Sequence, residues 1–221
     1  MKESNRVIET NVGIQDGEIV EQFDQMMRAM AGERRRTIEK MKSLGIDGGC
    51  ALEIGPGPGL LGIDWLKASP GARLKALEIS ANMARKAQQN AQCEGVEDRV
   101  EYVLGNALRM PFSDQSFDFA FSNGSLHEWE QPAAVFKEIH RVLKPGGAFF
   151  VSDLKRDAPW YARWLMMATV RPKSMRPGLL SSLHAAYTSA ETRGILADSG
   201  WARARVTESA FGFDIEGRKT S

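Results

Sequence analysis

The spacing of apolar positions changes several times along this chain, and the changes mark its elements. Between Glu18 and Leu44 apolar residues recur at helical spacing, with Ile19, Phe23, Met26, Met27 and Met30 on one side. Gly32 is expected to divide this stretch into two helices. The period then shortens: Cys50–Ile54, Arg73–Leu77, Val100–Leu104, Phe117–Ser122 and Ala148–Leu154 read as strands. Phe117–Ser122 is nearly all apolar, as a strand covered on both faces must be. Helical stretches lie between the strands at Gly59–Lys67, Ala81–Gln92 and Pro132–Leu143, the last with proline in its first turn. Strand and helix alternating at this rhythm predict an α/β fold, a doubly wound and mostly parallel sheet that binds ligands beyond the strand C-termini.

The final third departs from that rhythm. Asp157–Arg171 reads as a helix rich in Trp160, Tyr161, Trp164, Leu165, Met166 and Met167, followed by a basic break over Pro172–Gly178. Another helix starts at Ser189 and runs to Ser199, and Arg203–Ser209 and Gly212–Arg218 alternate like two strands joined by a short turn. Residues 1–17 are polar, glycine-bearing and without clear period.

The densest chemical signal is Glu53-Ile54-Gly55-Pro56-Gly57-Pro58-Gly59, where a buried strand breaks into a glycine turn and opens a helix. Glycines there let the backbone turn sharply and approach a ligand closely. The following helix offers unpaired N–H groups to whatever rests on the turn. A phosphate loop would need Gly-Lys, a pair found nowhere in the chain, and a dinucleotide fingerprint would need glycine where Leu60 stands. The acid two residues before the first glycine is unfavourable beside a pyrophosphate and suits a ligand with a cationic amino group. A second acid, Glu78, ends the next strand 19 residues after Gly59, the spacing at which a carboxylate accepts from two ribose hydroxyls. A nucleoside with free hydroxyls and a cationic amino-acid tail describes S-adenosylmethionine.

Further segments agree. Leu77-Glu78-Ile79-Ser80, Gly105-Asn106-Ala107 with Met110-Pro111-Phe112, Phe117–Asn123 and Arg141-Val142-Leu143-Lys144-Pro145-Gly146-Gly147 follow in order. From about Gly49 to Asp153 the chain resembles the class I S-adenosylmethionine-dependent methyltransferases, in their small-molecule, quinone-biosynthesis-like branch. The resemblance implies a Rossmann-like seven-stranded sheet with an antiparallel C-terminal edge strand and N-terminal cap helices. It implies a cap over residues 1–45 and a cofactor-binding unit over 46–221, with 155–187 as a variable acceptor-side segment, all in one structural domain. It also implies the cofactor contacts. Gly55, Pro56, Gly57 and Gly59 form the loop, and Glu53 holds the methionine end, often through water. Glu78 takes the ribose, Ile79 and Met83 pack near the adenine, and Asn106-Ala107 meet its amino group. Asn123 leaves the fourth strand at the reactive end. S-adenosylhomocysteine would be the product.

The acceptor side is less determined. Ser122–Trp129 is not Asn-Pro-Pro-Tyr, which lowers the case for a base- or glutamine-modifying enzyme. His127 is the best candidate general base, with loop packing as its other reading. Phe23 and Met27 are expected to close over the cofactor, and Trp160, Trp164 and His184 to line an acceptor pocket, with core packing the alternative for the tryptophans. Lys155, Arg156, Arg163, Arg171, Lys173 and Arg176 make this region basic: a solvated face, or else a contact for an anionic acceptor or a membrane surface.

Bulk composition narrows the classes. A chain of 221 residues suffices for one α/β domain with additions. Its 29 basic and 28 acidic side chains leave a net charge of +1, which argues against nucleic acid as a partner. Cys50 and Cys93 form no metal or redox motif, three scattered histidines make no metal site, no apolar run reaches membrane-spanning length, and Met1–Asn5 lacks a signal-peptide core. The expectation is a cytoplasmic enzyme that methylates a small molecule. Its rivals are a module that binds the cofactor without catalysis and an enzyme that uses it for another reaction. Tyr-x-x-x-Lys, needed by short-chain nicotinamide enzymes, is absent.

Overall fold

In a computed structural model, residues 6–7 and 13–220 are described. Part of the expectation for residues 1–17 therefore lies outside the described residues. Five parallel strands, β1 (Cys50–Ile54), β2 (Arg73–Glu78), β3 (Val100–Leu104), β4 (Phe117–Asn123) and β5 (Leu143–Leu154), are completed by β6 (Arg205–Glu208) and β7 (Gly212–Arg218). The sheet order is β3-β2-β1-β4-β5-β7-β6. β7 runs antiparallel to both of its neighbours, so the reversed strand lies one place inside the edge and β6 closes the sheet. The chain winds outward from β1 through β2 to β3, then returns to β4 on the other side. That reversal leaves a crevice above the C-terminal ends of β1 and β4.

Eight helices among the described residues cover the sheet: α1 (Gly17–Ala29), α2 (Ala31–Ser43), α3 (Leu60–Ala68), α4 (Ala81–Cys93), α5 (Pro132–Val142), α6 (Trp160–Thr169), α7 (Arg176–Ala185) and α8 (Ser189–Asp198). The two-residue period of the strands divides the core into two layers. Leu52, Phe117, Phe149 and Ile215 face one side, where Phe136 and Trp201 pack. Ala51, Leu74, Phe121 and Phe150 face the other, against Trp65 and Leu66. Both buried indoles find acceptors, Trp65 Nε1 at Ile46 O and Trp201 Nε1 at Phe136 O, each at 2.9 Å.

Several boundaries differ from the sequence expectations. The N-terminal helices divide at Met30 rather than Gly32, and Gly32 sits in the first turn of α2 with nothing within 4 Å of a Cβ placed there. Glycine in a first helical turn is tolerated, because those N–H groups lack intrahelical partners in any case. β5 begins at Leu143, five residues early, since Leu143 pairs with Phe117 before the register shifts towards Phe119 and Ala148. Part of the basic break is helical: Pro177 sits in the first turn of α7, where its missing N–H is harmless.

Candidate active site

A cleft of about 1260 Å³ opens above the crevice. That exceeds the roughly 300–1,000 Å³ of a pocket for one small ligand and leaves room for a cofactor and a second molecule. The glycine bend forms one wall. Gly55 (φ +66°) and Gly57 (φ +54°) are left-handed, and Pro56 and Pro58 stiffen the bend between them. A Cβ on Gly55 would meet Ser125 Oγ at 2.7 Å, so the β1 bend and the loop after β4 touch here. Ser122 Oγ donates to Ile54 O at 2.7 Å and shares a 2.7 Å hydrogen bond with Ser125 Oγ, latching the two loops together.

Glu78 sits beside this wall, 5 % exposed. Its Oε1 accepts from the N–H groups of Ile79 and Ser80, both at 2.9 Å, and its Oε2 from Gly57 N–H at 3.1 Å. A carboxylate offers about four lone-pair directions, so one remains for a ligand hydroxyl. Burial raises the pKa of Glu78, while the Ser80, Gly57 and Ile79 N–H groups oppose that rise. Ile79 next to it is 38 % exposed and lines the cleft, an apolar surface suited to a flat base. Met83, Asn106, Ala107 and Asn123 also line the cleft. Asn106 Oδ1 already accepts from Leu108 N–H at 2.8 Å, a local turn that leaves one lone pair.

Helix α1 lies across the opening. Phe23, Met26 and Met27 line the cleft, and the Phe23 ring edge is 3.4 Å from where a Gly57 Cβ would stand. Asn90 on α4 fixes this placement: its Nδ2 donates to Asp24 of α1 and to Pro58 O, both at 2.8 Å. Arg28 donates to Asp24 and to Asn90 Oδ1, which satisfies the buried carboxylate from the same helix.

On the far wall His127 is buried and lines the cleft. Its Nδ1 lies 2.9 and 3.0 Å from the two oxygens of Asp153, and its backbone N–H donates to Asp153 Oδ2 at 2.7 Å. A neutral imidazole that donates Nδ1–H to the carboxylate would carry its lone pair at Nε2. Asp153, which also lines the cleft, was not singled out from sequence. The signal existed: Glu53, Glu78 and Asp153 are each an acid at or next to the C-terminal end of a buried strand.

Five expected site residues are not in the cleft wall. Glu53 points beneath the bend towards the start of α3, where a Cβ on Gly62 would lie 2.2 Å from its Oε2. Gly59 (φ +78°) starts α3 against Tyr102 and Ala87, below the bend. Trp160 and Trp164, 79 % and 66 % exposed, face solvent, because α6 turns Leu165, Met166 and Thr169 to the cleft instead. His184 packs beside Arg163, with Nε2 3.4 Å from its guanidinium.

Glu53 Oε2 and Tyr102 Oη are both buried without a hydrogen-bond partner. Burial, and secondarily the charge of Glu78, pushes the Glu53 carboxyl up to about 8, against the Gly62 N–H. Among the described residues neither Glu53 nor Glu78 has a cationic partner. This unpaired acidity, a side-chain-free bend and an apolar ledge fit a nucleoside with ribose hydroxyls and a cationic tail. The folded state binds the Glu53 proton more tightly than the unfolded chain, so stability is lost as pH rises from the ordinary carboxyl range through about 8. Glu53→Gln should raise the ligand-free melting temperature at pH 8 by several degrees, on the order of 2–4 °C per kcal/mol for a chain of this size. It should also flatten the wild-type decline between pH 6 and pH 8; scanning calorimetry with equal pH slopes for both proteins would refute this.

A model of the family described as "Methyltransferase domain" matches residues 52–151. Methyltransferase GfsG of Streptomyces halstedii is 34% identical over 127 residues, 57% of this chain and 45% of that protein. A ubiquinone/menaquinone biosynthesis C-methyltransferase UbiE of Paracoccus denitrificans is 31% identical over 120 residues, 54% of this chain and 48% of that protein. The chain thus spans about half the length of these curated relatives. The fold matches the crystal structure of a SAM-dependent methyltransferase from Aquifex aeolicus, with a TM-score of 0.70, 19% identity and coverage of 93% of this chain and 99% of the other. The glycine bend and the acid that ends β2 fall within the matched segment. Over residues 52–151 the chain carries a methyltransferase domain.

Proposed function

We propose that this chain transfers a methyl group from S-adenosylmethionine to a small-molecule acceptor. The supporting observation is the two-part cleft: an acid and a glycine bend on one side, a chiefly apolar space walled by α1, α6 and α7 on the other. When bound, S-adenosylmethionine supplies a methyl group already activated by its sulfonium. Glu78 takes a ribose hydroxyl, Ile79 and Met83 face the base, and Asn106 accepts from its amino group. Gly55, Pro56 and Gly57 let the ligand lie against the backbone, and Glu53 acts from behind the bend through ordered water. The helices α1 and α2 of the expected 1–45 cap close over the site, and 155–187 form the acceptor side. His127 takes a proton at Nε2 when the acceptor must lose one, with Asp153 holding the ring. The other contribution is positioning, worth on the order of 7–11 kcal/mol in favourable cases. We assign the reaction to the cytoplasm, on the free thiols Cys50 and Cys93; among the described residues no helix is long and apolar enough to cross a membrane.

The test is a metabolite-extract screen with methyl-labelled donor, alongside calorimetry with S-adenosylhomocysteine. Label in an extracted small molecule is expected, with binding of the product. Binding without label transfer would point to a non-catalytic module, consumption of the donor without methylation to another reaction. Absence of binding by the folded chain would reject the reading.

A further inference from the structure

The outer face of α6 has no role in the cleft, yet it carries a group of exposed aromatic side chains. Trp160, Tyr161 and Trp164 are 79 %, 52 % and 66 % exposed. Their spacing of one and three residues places them on one stripe of the helix. Trp160 and Tyr161 meet edge to face, with centroids 6.1 Å apart. The buried side of α6 is Ala162, so the helix sits shallowly and its aromatic stripe projects. Leu180 on the adjoining α7 adds a further exposed apolar side chain. Monomers scatter such residues singly; a cluster of this kind marks a contact surface.

The charge around the stripe identifies the partner. From Ala158 to Ala190 the chain has Arg163, Arg171, Lys173 and Arg176 and not one Asp or Glu, although acids number 28 in 221 residues overall. Arg171 and Lys173, directly after α6, are exposed. Tryptophan and tyrosine, amphipathic rings with one polar edge, favour the layer between lipid chains and water, and lysine and arginine favour anionic headgroups. A second copy of this chain fits poorly, because a two-fold contact would set this acid-free surface against itself.

We propose that α6 and the segment Arg171–Arg176 dock on the surface of an anionic lipid bilayer, with Trp160, Tyr161 and Trp164 in the headgroup layer. The same helix walls the cleft with Leu165, Met166 and Thr169. Docking therefore sets the acceptor side of the cleft next to lipid and selects an amphiphilic acceptor that partitions into that layer. This last step rests on the proposed methyl transfer; the docking does not.

The test uses the full chain without cofactor and vesicles of phosphatidylcholine with or without phosphatidylglycerol. Sedimentation with the anionic vesicles, weakened by salt, is expected, with a blue shift of tryptophan emission. Trp65, Trp129 and Trp201 are buried, so the shift reports on Trp160 and Trp164. W160S/W164S should lower vesicle partition roughly 10-fold with melting temperature and S-adenosylhomocysteine affinity unchanged. R171Q/K173Q should lower it roughly 30-fold, at about 1 kcal/mol per cation near an anionic surface, and only on the anionic vesicles. Failure of the folded chain to sediment with anionic vesicles at low salt would overturn the proposal. So would equal partition of wild type and W160S/W164S, or a dimer in light scattering that W160S/W164S dissolves. Vesicle binding and cofactor binding are separate readouts, so loss of either leaves the other interpretable.

Discussion

Glu78→Ala should weaken binding of S-adenosylhomocysteine by roughly 10–100-fold, because it removes a charge-assisted hydrogen bond worth about 1.5–3 kcal/mol. The carboxylate is already ordered by three backbone N–H groups, so the ligand need not arrange it. Its removal also leaves the Gly57 N–H without its acceptor, loosening the bend. Glu78→Gln retains one acceptor oxygen and should lose less. Titration calorimetry with a melting curve for each variant separates a binding loss from unfolding. Affinity in Glu78→Ala within a few-fold of wild type would remove the ribose assignment.

His127→Ala should cut turnover of an acceptor that must lose a proton by roughly 10²–10⁴-fold while product affinity stays near wild type. The imidazole must be neutral at Nε2 to accept a proton, so the wild-type rate should fall on the acid side, and the variant should lack that limb. Asp153→Asn should reduce turnover in the same direction. It weakens the hold on Nδ1 and leaves one side-chain oxygen where the backbone N–H groups of His127 and Leu154 now use two, so one of them loses its acceptor. A loss below about 10-fold with an unchanged pH profile would leave the pair only the task of bracing the loop after β4.

The sheet and the glycine-bend wall of the candidate cleft were legible in the sequence because local signals decide them. Alternating strands and helices set the order, glycine spacing set the bend, and Glu78 lay at a diagnostic distance from Gly59. The acceptor half depends on which way helices face, and periodicity states only that a face exists. The aromatic residues of α6 illustrate this: Trp160 and Trp164 share a helix with the cleft-lining Leu165 and Met166 but point elsewhere. Glu53 lies outside the cleft wall for a similar reason. Its neighbour Ile54 reaches the cleft, and strand alternation sends the carboxyl the opposite way, under the bend. Asp153 stayed hidden because its partner is 26 positions away, and only the pairing of β4 with β5 brings the loop that holds His127 within reach.

The serine latch between the two loops ties sequence drift at one position to another. Any side chain at residue 55 would collide with Cβ of Ser125, 2.8 Å away, as well as with its hydroxyl. Descendants of this chain can lose Gly55 only by also surrendering the side chain at 125, and must still bear an unfavourable backbone angle. Positions 55 and 125 should therefore covary across lineages as one unit, though 70 residues separate them in the chain.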